Sequence, residues 1–438
     1  MGKRAALHNL GCKVNAYETE AMRELLEKAG YEIVPFEPGA DVYVINTCTV
    51  TNIADRKSRQ MLHRARKMNP DAIVVAVGCY VETAVNPVEE DGAADLVLGN
   101  NCKKNLVEAI HQFEEARNGG DPALRTAIAH THEYEALSIT HTEEHTRAYL
   151  KVQDGCNQFC SYCVIPYARG RVRSRREEDV LQEARTLAEN GCREVVLTGI
   201  HLSSYGSDLG TSLLSLIQAI HEIPAIERIR LGSLEPGIIT EEFVDALYAL
   251  PKVCPHFHLS LQSGCDTVLK RMNRHYTAEE YARKCTILRN VYDRPAITTD
   301  VIVGFPQETL EEFEETVSFL RQIRLYETHI FKYSARQGTR AAAMPGQISE
   351  QQKGIRSNVL MELGGQNRSL YEQECAGRQV EALFEEKNEI HGADYFVGYT
   401  KEYIRVAISA QKVCQNQILR GRLGQSVAPH VFLLRVVS

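Results

Sequence analysis

The chain has 438 residues, a formal net charge of -7, thirteen cysteines and no tryptophan. At roughly 150 residues per domain that length corresponds to about three domains, and 44% hydrophobic with 24% charged residues excludes wholesale disorder. Apolar runs such as Ala72–Val77 are too short to span a bilayer. The odd cysteine count, with no basic-then-apolar leader, gives the expectation of a cytoplasmic chain without a membrane partner.

In residues 1–116, strand-like runs at Ala5–Leu10, Asp41–Asn46, Ala72–Val77 and Asp95–Leu98 alternate with helix-period stretches at Tyr17–Ala29, Asp55–Met68 and Asn105–Glu115. This βαβα order predicts a parallel α/β sheet with helices on its faces. No G-x-G-x-x-G and no P-loop occurs there, so nothing marks a dinucleotide or nucleoside triphosphate site. Residues 117–141 open on Asn118-Gly119-Gly120-Asp121-Pro122 and read as a linker. His141-Thr142-Glu143-Glu144-His145 formally matches an inverted zinc-protease motif, but its polar surroundings read as solvated chain.

Residues 142–370 alternate again. Strand candidates lie at Arg147–Val152, Glu194–Leu197, Arg228–Leu231, Phe257–Leu261, Ile297–Val303 and Thr328–Tyr333, with helical patterns between them, the last at Leu310–Arg321. Six strands with crossover helices predict a partial (β/α)6 barrel, whose function sits on the loops after the strands. Residues 371–438 carry short β-rich runs separated by turns, which predicts a small antiparallel β-barrel of the OB kind, a shape often used to bind RNA. The fold class expected overall is α/β.

The sharpest motif is Cys156-Asn157-Gln158-Phe159-Cys160-Ser161-Tyr162-Cys163, directly after the first barrel strand. Three thiolates this close can each bind one iron of a [4Fe–4S] cluster, leaving one iron open. A zinc site is the alternative, but structural zinc takes four ligands and no fourth Cys or His lies in the loop. A second set is more dispersed. Cys12, Cys48 and Cys79 each follow a predicted parallel strand, which places all three at the carboxyl edge where open α/β sheets hold ligands. The expected ligand is a second iron–sulfur cluster, with buried structural cysteines as the alternative.

C-x-x-x-C-x-x-C with an aromatic before its last cysteine resembles the radical S-adenosylmethionine (SAM) superfamily. The runs Leu10–Glu20, Asn46–Val50, Gly78-Cys79 and Gly155–Arg171 together resemble the methylthiotransferase family within it, and the match covers essentially the whole chain. The form Gly-Cys-Lys-Val-Asn-x-Tyr-Glu is similar to the MtaB branch of that family, which acts on N6-threonylcarbamoyladenosine in tRNA. The resemblance implies two [4Fe–4S] clusters and SAM as cofactors. It implies that one SAM methylates sulfur held on the N-terminal cluster. A second, cleaved at the Cys156/Cys160/Cys163 cluster, gives a radical that activates C2–H of the adenine. It also implies a C-terminal TRAM domain, SAM contacts at Tyr162, Thr198, Gly199, Glu235 and Gln262, and tRNA and a reductant protein as partners. Alternatives are the same chemistry on isopentenyl-adenosine or on a ribosomal-protein aspartate, or a non-enzymatic, metal-containing RNA-binding protein.

Two basic stretches suit an RNA partner despite the net charge. Arg56 to Lys67 holds six Lys/Arg and no acid, and Arg169, Arg171, Arg173, Arg175 and Arg176 follow the cysteine loop. The tail from Ala410 has four Lys/Arg and no acid, and Tyr403 and Phe432 of the C-terminal unit are stacking candidates with core packing as the alternative. The remaining cysteines, Cys102, Cys192, Cys254, Cys265, Cys285, Cys375 and Cys414, are expected to be buried thiols.

Overall fold

The computed structural model describes residues 2–83, 91–115, 123–124, 128, 131–142, 146–410 and 414–436. The first sheet joins β1 (Arg4–Asn9), β2 (Glu32–Ile33), β3 (Val42–Thr47), β4 (Ile73–Gly78), β5 (Leu96–Leu98) and β6 (Ala123–Leu124). Its order is β2-β1-β3-β4-β5-β6, and every pair is parallel. β3 and β4 are buried along their whole length, which is why they read as continuous apolar runs. One face is covered by α1 (Lys13–Lys28) and α4 (Leu106–Glu115) through Met22, Leu26, Leu106 and Ile110. The other is covered by α2 (Asn52–Met68) through Leu62 and Ala65. Thr51 caps α2, accepting a hydrogen bond from the Ala54 N–H at 3.1 Å. The short α3 (Cys79–Thr83) starts directly from β4.

The central unit has six parallel strands: β7 (Arg147–Asp154), β9 (Glu194–Gly199), β10 (Arg228–Leu231), β11 (His256–His258), β12 (Ala296–Val303) and β13 (Glu327–Lys332). A two-residue strand, β8 (Arg173–Ser174), pairs antiparallel to the end of β7. Bridges Ile229–Val253 and Leu234–Leu259 carry the curve from β10 to β11. Among the described residues β13 and β7 do not pair, so the barrel is open along that side. The outer helices are α6 (Glu177–Glu189), α7 (Leu213–His221), α8 (Glu241–Tyr248), α9 (Asp266–Arg271), α10 (Ala278–Val291) and α11 (Leu310–Ile323), with α5 (Ile165–Arg169) just after the cysteine loop. Thr277/Glu280 and Thr309/Glu312 form reciprocal capping boxes at α10 and α11.

The N-terminal sheet domain bridges the open side. Tyr17 and Ala21 of α1 belong to the barrel core, together with Leu137 and Ile139 from the segment read as a linker. On the β13 side, Arg336 donates to Thr49 Oγ1 (2.7 Å) and Asp55 Oδ2 (2.6 Å). The linker expectation is therefore incomplete: its last part packs between the two units. His141 of the zinc-protease match lies 3.6 Å from Glu24, and residues 143–145 fall outside the described residues.

Two further differences from the sequence reading stand out. α12 (Glu350–Cys375) was not anticipated; it is a 26-residue helix, capped by Ser349 and packed on β13. Gly364 and Gly365 in its middle weaken the helical signal. The C-terminal unit is a closed five-stranded barrel of β14 (Gln379–Ile390), β15 (Ala393–Thr400), β16 (Arg405–Ser409), β17 (Gln417–Ala428) and β18 (Val431–Val436). Four of its pairs are antiparallel, but β16 and β18 close it in parallel. This barrel sits on the amino-terminal end of the central one. Arg228 donates to Tyr399 O (2.9 Å) and Glu381 O (2.8 Å), and the Tyr403 ring stacks on His256 at 5.0 Å. Tyr403 therefore serves docking, and Phe432 packs against the small barrel's core.

Candidate active site

Parallel register brings the dispersed cysteines together. Asn9 pairs with Asn46, and Thr47 with Gly78, so the chain leaves β1, β3 and β4 at one edge. Cys12 is the N-cap of α1, Cys48 follows β3 and Cys79 opens α3. Gly11 has φ +110°, and a Cβ there would lie 2.9 Å from the Cys48 Sγ. Only glycine lets the Cys12 turn come so close to Cys48. Burial raises the Cys12 and Cys48 thiols, Cys48 to about 11, and each is raised further by Cys79. Three thiols gathered at one sheet edge have the donor chemistry of a soft-metal or iron–sulfur site.

Arg169 closes this site from the barrel side. Its Nε donates to Cys79 Sγ at 3.1 Å, and its other nitrogens donate to Glu18 (2.8 and 3.0 Å), Asn15 Oδ1 (2.7 Å) and Asp154 (3.1 Å). Glu18 also binds Lys151 (2.7 Å) and Lys103 (3.3 Å). Burial opposes ionisation of Glu18, but Arg169, Lys103 and Lys151 outweigh it and hold the carboxyl well below its usual range. This network is fully buried and ties α1 to β7 and α5. Asn100 adds a second donor to Cys79 Sγ at 3.6 Å.

The second cysteine set lies on the loop from β7 to α5. Gly155 has φ +72°, and a Cβ there would sit 1.8 Å from the Arg171 carbonyl oxygen. That close approach lets the Cys156 N–H donate to Gly170 O at 3.0 Å and closes the loop on itself. Burial, then Cys160, raises Cys163 to about 12, and burial raises Cys156 to about 11. Arg274 donates to Cys160 Sγ at 3.2 Å and grips both Glu235 oxygens at 2.7 Å. Sequence reading missed Arg274, which lies in a loop distant in sequence with no motif around it. The seven cysteines outside the two sets are buried as expected.

Residues that follow Cys48 and the last cysteine of the loop share one cavity. It has a volume of about 210 Å³ and is lined by Val50 and Thr51 beside Cys48, by Tyr162 and Cys163, by Gln262 and Asp300, and by Phe331 to Ser334. Of the expected SAM contacts, Tyr162 and Gln262 line this cavity, and Gln262 adopts φ +72°. Thr198 and Gly199 end β9 and are not among its lining. Gly199 abuts Gln153, where a Cβ would lie 2.8 Å from Oε1. Glu235 is held by Arg274 beside Cys160.

The arginine run divides. Arg169, Arg173 and Arg175 are buried. Arg173 donates to Arg169 O (2.9 Å) and Arg171 O (3.0 Å), and Arg175 pairs with Glu183. All three are spent on internal partners, Arg169 and Arg175 reaching Glu18 and Tyr17 of the sheet domain, which removes them from an RNA-facing surface. Arg171 and Arg176 remain exposed, Arg171 lying 4.4 Å over the Phe159 ring. On α2, Arg56, Lys57, Arg59, Arg64 and Lys67 are exposed.

Known proteins similar to this chain agree with this geometry. Residues 150–320 match the radical SAM superfamily, and residues 4–99 match a family described as uncharacterized protein family UPF0004. A threonylcarbamoyladenosine tRNA methylthiotransferase MtaB of Bacillus subtilis (strain 168) is 40% identical over 97% of this chain and 94% of its own length. The chain belongs to the methylthiotransferase family of radical SAM enzymes. The MtaB of Aquifex aeolicus (strain VF5) is 40% identical over 90% of this chain and 95% of its own length. A tRNA-2-methylthio-N(6)-dimethylallyladenosine synthase of Pelotomaculum thermopropionicum is 34% identical over 89% of this chain and 88% of its own length. The radical SAM methyltransferase TsrM of Kitasatospora setae, solved with cobalamin and a [4Fe-4S] cluster, shares the fold at TM-score 0.58 and 17% identity, over 78% of this chain and 74% of that one. Membership carries SAM and iron–sulfur clusters as cofactors. Both cysteine sets suit such clusters: each offers three free thiols, and one sulfur in each takes an N–H from a buried arginine. No helix among the described residues is long and apolar enough to cross a membrane.

Proposed function

We propose that this methylthiotransferase modifies C2 of N6-threonylcarbamoyladenosine beside the anticodon of tRNA. The observation that supports the reading is that two separate three-cysteine sets stand beside the contact of the sheet domain with the barrel, where Val50 and Thr51 after Cys48 share a cavity with Cys163. The choice of substrate is supported by the 40% identity to relatives named for threonylcarbamoyladenosine, against 34% for one named for dimethylallyladenosine. Cys156, Cys160 and Cys163 would hold the cluster that engages SAM, and Cys12, Cys48 and Cys79 the cluster that carries sulfur. When bound, these groups supply the electron that cleaves SAM to a carbon radical and the sulfur that is transferred.

The protein's own residues bind, orient and exclude water. Arg169 and Arg274 donate N–H groups to Cys79 and Cys160, which stabilises negative charge on those sulfurs. The Arg274–Glu235 pair fixes one wall of the SAM site, while Tyr162 and Gln262 provide the side open to the cavity. Thr198 and Gly199 complete that site at the end of β9. An adenine C2–H offers no acid–base handle, so the cleft needs exclusion of water rather than paired carboxylates. Arg171, Arg176 and the exposed face of α2 would meet RNA phosphates, with the C-terminal barrel as a further RNA-binding unit. The reading places the enzyme in the cytoplasm, with a reductant protein as electron donor. Nucleoside mass spectrometry of tRNA from a deletion strain tests it. Loss of 2-methylthio-N6-threonylcarbamoyladenosine is expected, and an unchanged level overturns the substrate assignment.

A further inference from the structure

Exposed aromatic rings are few in this chain, and they gather at the cysteine cavity. Among the described residues, the Tyr and Phe side chains left largely open to solvent are Tyr167 (52%), Phe331 (45%) and Tyr248 (60%). Tyr248 lies on the outer helix α8 and meets Tyr292 edge-on at 5.3 Å. The other two stand at the cavity that holds Cys163: Phe331 lines it, and Tyr167 follows Ile165, which lines it too. Val50, also exposed, is part of the same lining. Large apolar groups left open at one place mark a surface that a partner covers.

Tyr167 is built into position. Its ring meets the Phe159 ring edge-on, with centroids 5.8 Å apart and planes at 83°. The exposed Arg171 guanidinium lies 4.4 Å from the Phe159 centroid. Phe159 sits between Cys156 and Cys160 with φ +49°, a left-handed backbone that is costly for a bulky residue. Asn273 Nδ2 donates to its carbonyl at 3.2 Å and holds it there. The edge-on contact orients the Tyr167 ring and leaves half of it uncovered, with a cation on the same small cluster.

Relatives named for tRNA modification supply the occupant that this chemistry fits. For C2 of an adenosine to reach the cavity, that nucleotide must leave the stack of its loop, and the neighbouring base loses a stacking partner. An open aromatic ring beside the cavity restores one, and a cation next to it meets the phosphate of the same strand. We propose that Tyr167 stacks an unpaired base adjoining the modified adenosine, with Arg171 on a nearby phosphate and Phe159 orienting both. This inference rests on tRNA as the substrate and is independent of the group at N6. Every base has a π-face, so the platform anchors the loop without reading its sequence.

The test uses the cluster-loaded full-length enzyme and anticodon stem-loop RNAs, with affinity measured over a range of salt. Tyr167→Ala should weaken binding by about fivefold to 150-fold, the worth of one base–aromatic stack, and Tyr167→Phe should bind like wild type. The salt slope should keep its wild-type value in Tyr167→Ala, because no phosphate contact is lost, and fall by about one in Arg171→Ala. RNAs abasic just before or just after the target adenosine locate the stacked base. At one of these positions the losses from the abasic site and from Tyr167→Ala should not add, since both delete the same stack. Iron content reports whether the cysteine loop is intact, and Tyr167→Leu, which keeps apolar contact with Phe159, replaces the alanine variant if iron is lost. Wild-type affinity in the Tyr167 variant, or full additivity at both positions, would overturn this inference and leave the tRNA reading standing. Wild-type enzyme that neither binds nor modifies the stem-loop would overturn both.

Discussion

Arg169 separates a structural from an RNA-binding role. Arg169→Met keeps much of the side-chain length and deletes the guanidinium. Four bonded partners lose it at once: Cys79, Asn15, Glu18 and Asp154. Lys103 and Lys151 remain on Glu18, so the carboxylate is not left wholly unpaired. Removing one member of a buried ionic network costs about 3–5 kcal/mol. For units of this size that lowers the first thermal transition by on the order of 10 °C. The variant should also load less iron at the N-terminal site, because Cys79 loses its donor. Thermal melting followed by circular dichroism, with iron content and RNA affinity on the same preparation, checks this. A variant that melts within about 2 °C of wild type, keeps its iron and binds RNA more weakly would refute the reasoning and return Arg169 to the RNA surface.

Other consequences follow from the same contacts. Arg171→Ala with Arg176→Ala should leave melting unchanged and flatten the salt dependence of tRNA binding by about one logarithmic unit per lost phosphate contact. Gly155→Ala places a methyl group 1.8 Å from Arg171 O in a left-handed backbone, and should yield protein lacking the cluster at Cys156, Cys160 and Cys163, visible as a loss of about half the iron. Against the opposing effect of burial, Lys151, Arg169 and Arg173 hold Asp154 below the usual carboxylate range, as Arg169, Lys103 and Lys151 hold Glu18. Depressed folded values mean that this stabilisation is fully present above the ordinary range, about pH 4–5, and is lost as pH falls toward the folded values. Urea stability should therefore decline below about pH 4, and less steeply in Glu18→Gln. Tyr403→Ala, which empties the stack on His256 and Tyr399, should release the C-terminal barrel to proteolysis at the end of α12 without loss of iron.

The cysteine sites were legible in the sequence for two different reasons. C-x-x-x-C-x-x-C is local, and its loop closes on Gly155 within a few residues. Cys12, Cys48 and Cys79 could be joined only because apolar runs alternating with helical stretches announced parallel strands, and parallel register then aligned their ends. What stayed hidden depends on side-chain direction. A run of five arginines looks like one basic patch, but after α5 the chain turns through Gly170 and enters β8, which points Arg169, Arg173 and Arg175 inward. The parallel closure of β16 on β18 and the docking of Tyr403 under the barrel are long-range events with no local signature. Arg274 reaches Cys160 from a separate loop, and spacing along the chain says nothing of it.

The central claim is that one chain carries two independent three-cysteine cluster sites. Iron and acid-labile sulfide analysis of anaerobically reconstituted protein tests it most directly. Wild type should hold about eight irons per chain, and either triple alanine variant, of Cys12/Cys48/Cys79 or of Cys156/Cys160/Cys163, about four. Zinc in place of iron, or wild-type protein with only about four irons, would contradict the account.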